Sequence, residues 1–184
     1  MQNEEQTKLR LLVRRNKGRM ECPSYATELS HLLKAEIHPS DILALEETDS
    51  FLSIHHAQAG RSAKEKGFAF KKTWRYKPLA TWTNLCRELG EKLCEVPAVL
   101  FVGPYEFCGG VKVKAGRALN AAPSLLEFDR DTVTLQSFSM ESGLFLDLFE
   151  ENSEWFVELA VWGAWKVLAE ELGPFPEGNH NEHC

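Results

Sequence analysis

The last third of the chain gathers two kinds of side chain that together could hold a macromolecular partner. Seven carboxylates, Asp129, Asp131, Asp147, Glu150, Glu151, Glu154 and Glu158, are interleaved with Phe145, Phe149, Phe156 and Trp162. Aromatic side chains supply apolar area that anchors an interface, and like-signed charges around them steer a partner of opposite sign. Between Glu127 and Glu158 nine carboxylates accompany Arg130 as the single cation, a local net of −8. That field attracts a basic partner and repels nucleic acid. The alternative for the aromatics is burial, because helices cover one sheet face in an α+β fold, and helix 78–94 is the natural cover. The turn acids Asp129, Asp131, Glu150, Glu151 and Glu154 are expected to be exposed in either case.

No catalytic constellation stands beside them. The segment Gly103-Pro-Tyr-Glu-Phe-Cys-Gly-Gly110 lacks the Lys-Ser/Thr of a phosphate loop and the spacing of a dinucleotide fingerprint, so it reads as a turn. Asp129 and Asp131 could share a cation, as alternate carboxylates can, but paired acids at a turn need none. His55 and His56 could supply a base or a ligand, yet no third donor follows at helical or strand spacing. His180, Glu182, His183 and Cys184 crowd imidazole and thiol donors at the terminus, where capture of a metal would be opportunistic. No Ser or Cys sits in a nucleophile-elbow context. The five cysteines are odd in number and contain no C-x-x-C pair, which points to reduced thiols, with Cys86 and Cys94 on the apolar face of one helix. The expectation is a non-enzymatic protein without cofactor or metal.

A second candidate surface lies upstream. Lys71, Lys72, Trp74, Arg75, Tyr76 and Lys77 form a basic, aromatic run that could hold RNA through phosphate contacts and base stacking. Seven residues make a short footprint on an acidic chain, and the run could instead contact the acidic half of its own molecule.

The elements that must position these groups change period at about residue 96. Leu9, Leu12 and Val13, among six basic residues, read as a short amphipathic helix or frayed arm over 8–19. Ala26, Leu29, Leu32 and Leu33 mark a second helix, 23–35, and Ser40-Asp41 caps a short segment, 42–45. Residues 46–77 carry little periodicity, and 60–67 reads as an exposed loop. Pro78 opens a clear helix to about Cys94, with Leu79, Trp82, Leu85, Leu89 and Leu93 on one face. Strands are then expected at 98–102, 111–114, 125–128, 132–138, 143–149 and 155–162, followed by a helix or strand extension over 164–172.

The last hairpin has a determinable register. A loop over 150–153 puts Leu144, Leu146 and Leu148 on one face with Trp155, Val157, Leu159 and Val161. The other face then collects Phe145, Asp147, Phe149, Glu154, Phe156, Glu158 and Trp162. A one-residue slip would bury carboxylates without partners.

These elements predict an α+β fold, N-terminal helices packed on a C-terminal antiparallel sheet. One domain spans 1–172, helical over 1–95 and β-rich over 96–163, and 173–184 is expected to be a disordered tail. At 184 residues, 43% hydrophobic and 26% charged, the chain has the composition of a globular domain. Residues 1–92 hold 16 Lys and Arg against 12 Asp and Glu, whereas 93–184 hold 5 against 15. No apolar run approaches the roughly 20 residues that span a bilayer. The first residues lack the order of a secretory signal, so a cytoplasmic location is expected, with no membrane partner.

The segments 126–137, 142–151 and 155–163 resemble bacterial immunity proteins encoded beside polymorphic toxins, including those of contact-dependent growth inhibition. The resemblance covers the final third of the chain. It implies a cytoplasmic antidote that binds one cognate toxin domain, often a nuclease, and blocks its active site. Binding residues in such families follow the individual toxin, so the seven acids and four aromatics above rest on charge and register alone.

Overall fold

The computed structural model describes residues 2–172 and, within them, the side chains of 9–80 and 82–172. Six strands form one antiparallel sheet: β1 (Ala69–Arg75), β2 (Pro97–Phe101), β3 (Val111–Lys114), β4 (Thr132–Ser137), β5 (Gly143–Glu151) and β6 (Glu154–Trp162). Their order is β1-β6-β5-β4-β2-β3, so the meander β4-β5-β6 forms the middle, with β1 and β3 at the rims. Among the described residues seven α-helices pack around this sheet: α1 (Gln2–Leu33), α2 (Leu45–Lys64), α3 (Ala80–Lys92), α4 (Tyr105–Cys108), α5 (Ala115–Asn120), α6 (Ala122–Asp129) and α7 (Ala164–Glu171). The expected α+β class is therefore found, with helices preceding most of the strands. Among the described residues no helix is long and apolar enough to cross a membrane. The expectation for 173–184, including the donors from His180 to Cys184, lies outside the described residues.

Alternation dictates which residues meet on the inner face. Trp74, Leu100, Val111, Val133, Leu135, Leu144, Leu146, Val157, Leu159 and Val161 form one continuous cluster. Onto it pack Leu29 and Leu33 of α1, Leu85 and Leu89 of α3, Leu119 of α5, Leu125 and Leu126 of α6, and Trp165 of α7. Each buried leucine is worth about 1.5–3 kcal/mol of transfer free energy, which makes this layer the main stabilising element. The outer face is treated differently. A smaller cluster, Leu43, Phe51, Val99 and Phe101, lies under α2 at the end of the sheet that holds β2. Helix α2 also reaches Gln136 of β4 and Trp162 of β6, and among the described residues Phe149 and Phe156 on that face remain half-exposed.

Several expected elements differ from the structure. Residues 125–128, read as a strand, belong to helix α6, which starts with Pro123 in its first turn and stops at Arg130 in the left-handed conformation (φ +63°). Residues 60–64, read as loop, complete α2. The segment 42–45 is not helical as a unit: Ile42 bridges Val111, and α2 begins at Leu45. The two N-terminal helices are one, with Pro23 inside it. Only its second half is buried, and Tyr25 donates its hydroxyl to the Val102 carbonyl at 3.0 Å. The first half leaves Leu9, Leu12, Val13 and Met20 exposed. It is tethered by Arg14, which donates to both Asp49 carboxylate oxygens (2.8 and 2.9 Å) and to the Glu106 carbonyl. Cys94, expected on the apolar face of α3, falls beyond the helix and is exposed, whereas Cys86 is buried.

Gly109 shows why the glycine-containing turn is needed. Its φ of +103° excludes most side chains, and a Cβ there would lie 2.2 Å from the Leu43 carbonyl oxygen. The chain entering α2 docks at this point, with the Leu43 N–H donating to the Gly110 carbonyl and the Gly110 N–H to the buried Thr48 hydroxyl.

Candidate binding surface at the hairpin end

The β5–β6 hairpin carries most of the groups singled out above. It closes through Asn152 and Ser153, both at positive φ, so Glu151 pairs with Glu154 rather than the loop spanning 150–153. The pairing is shifted two residues from the expected register. A two-residue shift preserves faces, and Leu144, Leu146 and Leu148 stand with Val157, Leu159 and Val161 as expected. Trp155 is the exception on that face, since it lies beyond the helical cover and is 48% exposed.

On the outer face the four aromatics separate into two groups. Trp162 is fully buried: its indole N–H donates to Gln58 of α2 at 2.7 Å, and the His55 ring lies 5.0 Å away. It is a core residue and not a surface anchor. Phe145 is half-buried against it, with ring centroids 6.2 Å apart. The cover is α2, whereas helix 80–92 roofs the opposite face. Phe149 and Phe156, directly opposite one another, stack at 5.7 Å and 22° and remain half-exposed. Among the described residues no helix covers their end of the sheet.

The carboxylates divide as well. Glu158 is paired with Lys71 at 2.9 Å, and Glu154 with Arg75 at 3.3 Å, across the β1–β6 ladder. Asp147 accepts the Thr132 hydroxyl at 2.9 Å. Asp129 accepts the Gly103 N–H, and burial raises its pKa. Asp131 is exposed and receives a long contact from Thr132. Glu150 and Glu151 are exposed at the hairpin tip and, among the described residues, have no cation and no side-chain hydrogen bond. Glu151 also stands directly opposite Glu154, a like-charge pairing that costs stability in a two-stranded ladder. The negative field is thus partly neutralised on the flank of the hairpin and survives at its tip.

The basic run 71–77 is the edge strand β1 and the turn after it. Lys71 and Arg75 are the cations that hold Glu158 and Glu154. Trp74 faces the inner core and is 6% exposed. Tyr76 stacks on Trp82 at 6.1 Å and donates its hydroxyl to Glu127 at 3.4 Å. Neither ring is presented for base stacking.

The remaining reactive groups are held by packing. His55 is buried and contacts Gln136 through Nδ1 at 3.3 Å, and burial pushes its pKa down to about 4. Burial likewise pushes the Cys86 thiol up to about 12. Among the described residues no three His, Cys, Asp or Glu side chains converge as a metal site.

Sequence reasoning missed a groove on the inner side of the same hairpin end. It is lined by Arg75, Tyr76, Lys77, Leu126, Glu127, Arg130, Leu148, Glu154 and Trp155, with a volume of about 880 Å³. The exposed Trp155 in an otherwise apolar strand was the one signal for it.

No family model, curated protein or solved structure matches this chain.

Proposed function

We propose that this protein is a bacterial immunity protein that binds a cognate toxin domain and blocks its active site with the tip of the β5–β6 hairpin. The observation that carries the reading is the tip itself. Two exposed, unpaired carboxylates, Glu150 and Glu151, sit on a rigid two-residue turn beside the half-exposed Phe149–Phe156 stack. A nuclease needs a basic groove for its phosphates, and a rigid acidic tip with an aromatic shoulder competes for such a groove at low ordering cost. The acids Asp131 and Asp147 extend the same surface. Glu154 and Glu158, already paired, fix β1 against the hairpin rather than meeting the partner. The anchors reduce to Phe149 and Phe156, with Phe145 behind them.

RNA binding through 71–77 has less support, because Lys71 and Arg75 hold carboxylates and its rings are packed.

The test is co-expression with the toxin domain encoded in the immediately upstream reading frame. The wild-type chain restores growth, and the pair Glu150→Lys, Glu151→Lys lowers the association rate constant by about tenfold in low salt without lowering the thermal unfolding temperature. An upstream frame without a toxin domain, or absence of rescue by the wild-type chain, overturns the reading. Association rates insensitive to both salt and the double substitution would remove the tip from the mechanism.

A further inference from the structure

The groove on the inner side of the hairpin end is chemically opposite to the tip. Its apolar lining is the half-buried Leu148 of β5, with the buried Leu126 of α6 behind it, and the exposed Trp155. The Leu148 N–H donates to the Asp131 carbonyl at 2.9 Å, and the Tyr76 N–H to the Trp155 carbonyl at 2.7 Å, so backbone on both sides is fixed. Tyr76 itself is held by its stack on Trp82 and its hydroxyl bond to Glu127. The groove is therefore preformed, and little side-chain entropy is lost on filling it.

Its charges are unevenly satisfied. Glu154 is neutralised by Arg75, and Glu127 accepts from Tyr76. Lys77 and Arg130 are exposed and, among the described residues, have neither an ion pair nor a side-chain hydrogen bond. Arg130 is moreover fixed at φ +63° at the end of α6, which determines where its side chain leaves the backbone. Two free cations beside this lining, with its half-exposed tryptophan, make a site for a group with an apolar body and a negative end. Tryptophan and arginine are the residues most often found to dominate binding energy. Nucleic acid is a poor fit, because two cations give only a small phosphate footprint.

We propose that this groove binds an acidic peptide segment of a partner protein, with one aromatic or aliphatic side chain on the Leu148–Trp155 lining and a neighbouring carboxylate between Lys77 and Arg130. The proposal does not rest on the immunity reading. A partner engaging the hairpin from this side would leave the acidic tip free, so one hairpin could serve two interfaces.

The experiment uses the full chain and three labelled hexapeptides, each with one central phenylalanine. It is flanked by two aspartates in the first, two asparagines in the second and two lysines in the third. Binding is read by fluorescence anisotropy and by the indole N–H resonance of Trp155, assigned with Trp155→Phe. The expected result is saturable binding of the aspartate peptide at millimolar concentration or below, with movement of the Trp155 resonance. The asparagine and lysine peptides bind about tenfold more weakly, as does the aspartate peptide to the variant Lys77→Glu, Arg130→Glu. Both substituted positions are exposed, so the variant should fold, and an unchanged melting curve is required before its affinity is compared. No binding of the aspartate peptide up to 5 mM (about the weakest affinity worth calling a site), or tighter binding of the lysine peptide, overturns the proposal. Concentration-dependent dimerisation abolished by Trp155→Ala would assign the groove to a second copy and also overturn it.

Discussion

Ser153 holds φ at +64° and Asn152 at +50°, so the turn that carries the acidic tip is built from residues that disfavour its geometry. Asn tolerates the left-handed region, but Ser does not, and glycine would adopt it without steric cost. Replacing Ser153 with Gly is expected to stabilise the protein by about 0.5–1 kcal/mol, measured by urea denaturation; a loss of stability would show that the Ser153 side chain contributes something the backbone argument omits. The exposure of Glu150 and Glu151 could be read from the chain because turn residues next to a hairpin have nowhere else to go. Trp162 could not. Its alternation is the same as that of Phe149 and Phe156, and alternation assigns a residue to a face without saying how far along that face a helix lies. The ion pairs of Glu154 and Glu158 were hidden for a related reason: their cations come from β1, far upstream, which no local pattern pairs with them.

At the scale of elements, legibility followed the strength of the apolar period. Helix α3 and strands β2, β4, β5 and β6 were plain, because each buries large apolar side chains on one face. Helix α2 was obscure since its buried positions include Thr48, His55 and Ser62, whose partners are the Gly110 N–H, Gln136 and the Ala59 carbonyl rather than an apolar layer. Helix α6 was mistaken because a four-residue apolar run fits either period. The polar seam under α2 has a consequence for pH. Neutral His55 in the folded state must gain a proton at a pKa near 4, while the unfolded chain takes it up near 6.5. The unfolded state therefore binds more protons between those values, and stability is intact above about pH 6.5 and falls as pH drops toward 4. The full effect is on the order of 3 kcal/mol, and His55→Leu should flatten urea midpoints over that window, whatever it costs at pH 7. An unaltered pH slope in the variant would place the acid sensitivity elsewhere.

Across the whole molecule, stability and surface are divided unequally. The inner layer joins α1, α3, α5, α6 and α7 to every strand of the sheet, and the fold class follows from it. By contrast, the first half of α1 is tethered through Arg14 and Arg15, and Leu9, Leu12 and Val13 ahead of them are exposed. Removing residues 2–13, which keeps both arginines, is expected to lower the melting temperature by no more than about 4 °C, since Leu9, Arg10, Leu12 and Val13 leave no buried contacts behind. A collapse of cooperative unfolding after truncation would mean that the helix is needed as one piece.

The rims of the sheet bear on how the protein survives at high concentration. One rim strand presents Lys71, Lys72 and Arg75, and the other is four residues long with Lys112 and Lys114 along it. Two copies approaching rim to rim would bring cationic side chains together before any ladder could form. At the shorter rim Ile42 already bridges Val111, which leaves little of that edge for a second copy. Self-association by strand addition is thereby disfavoured, even in a crowded solution.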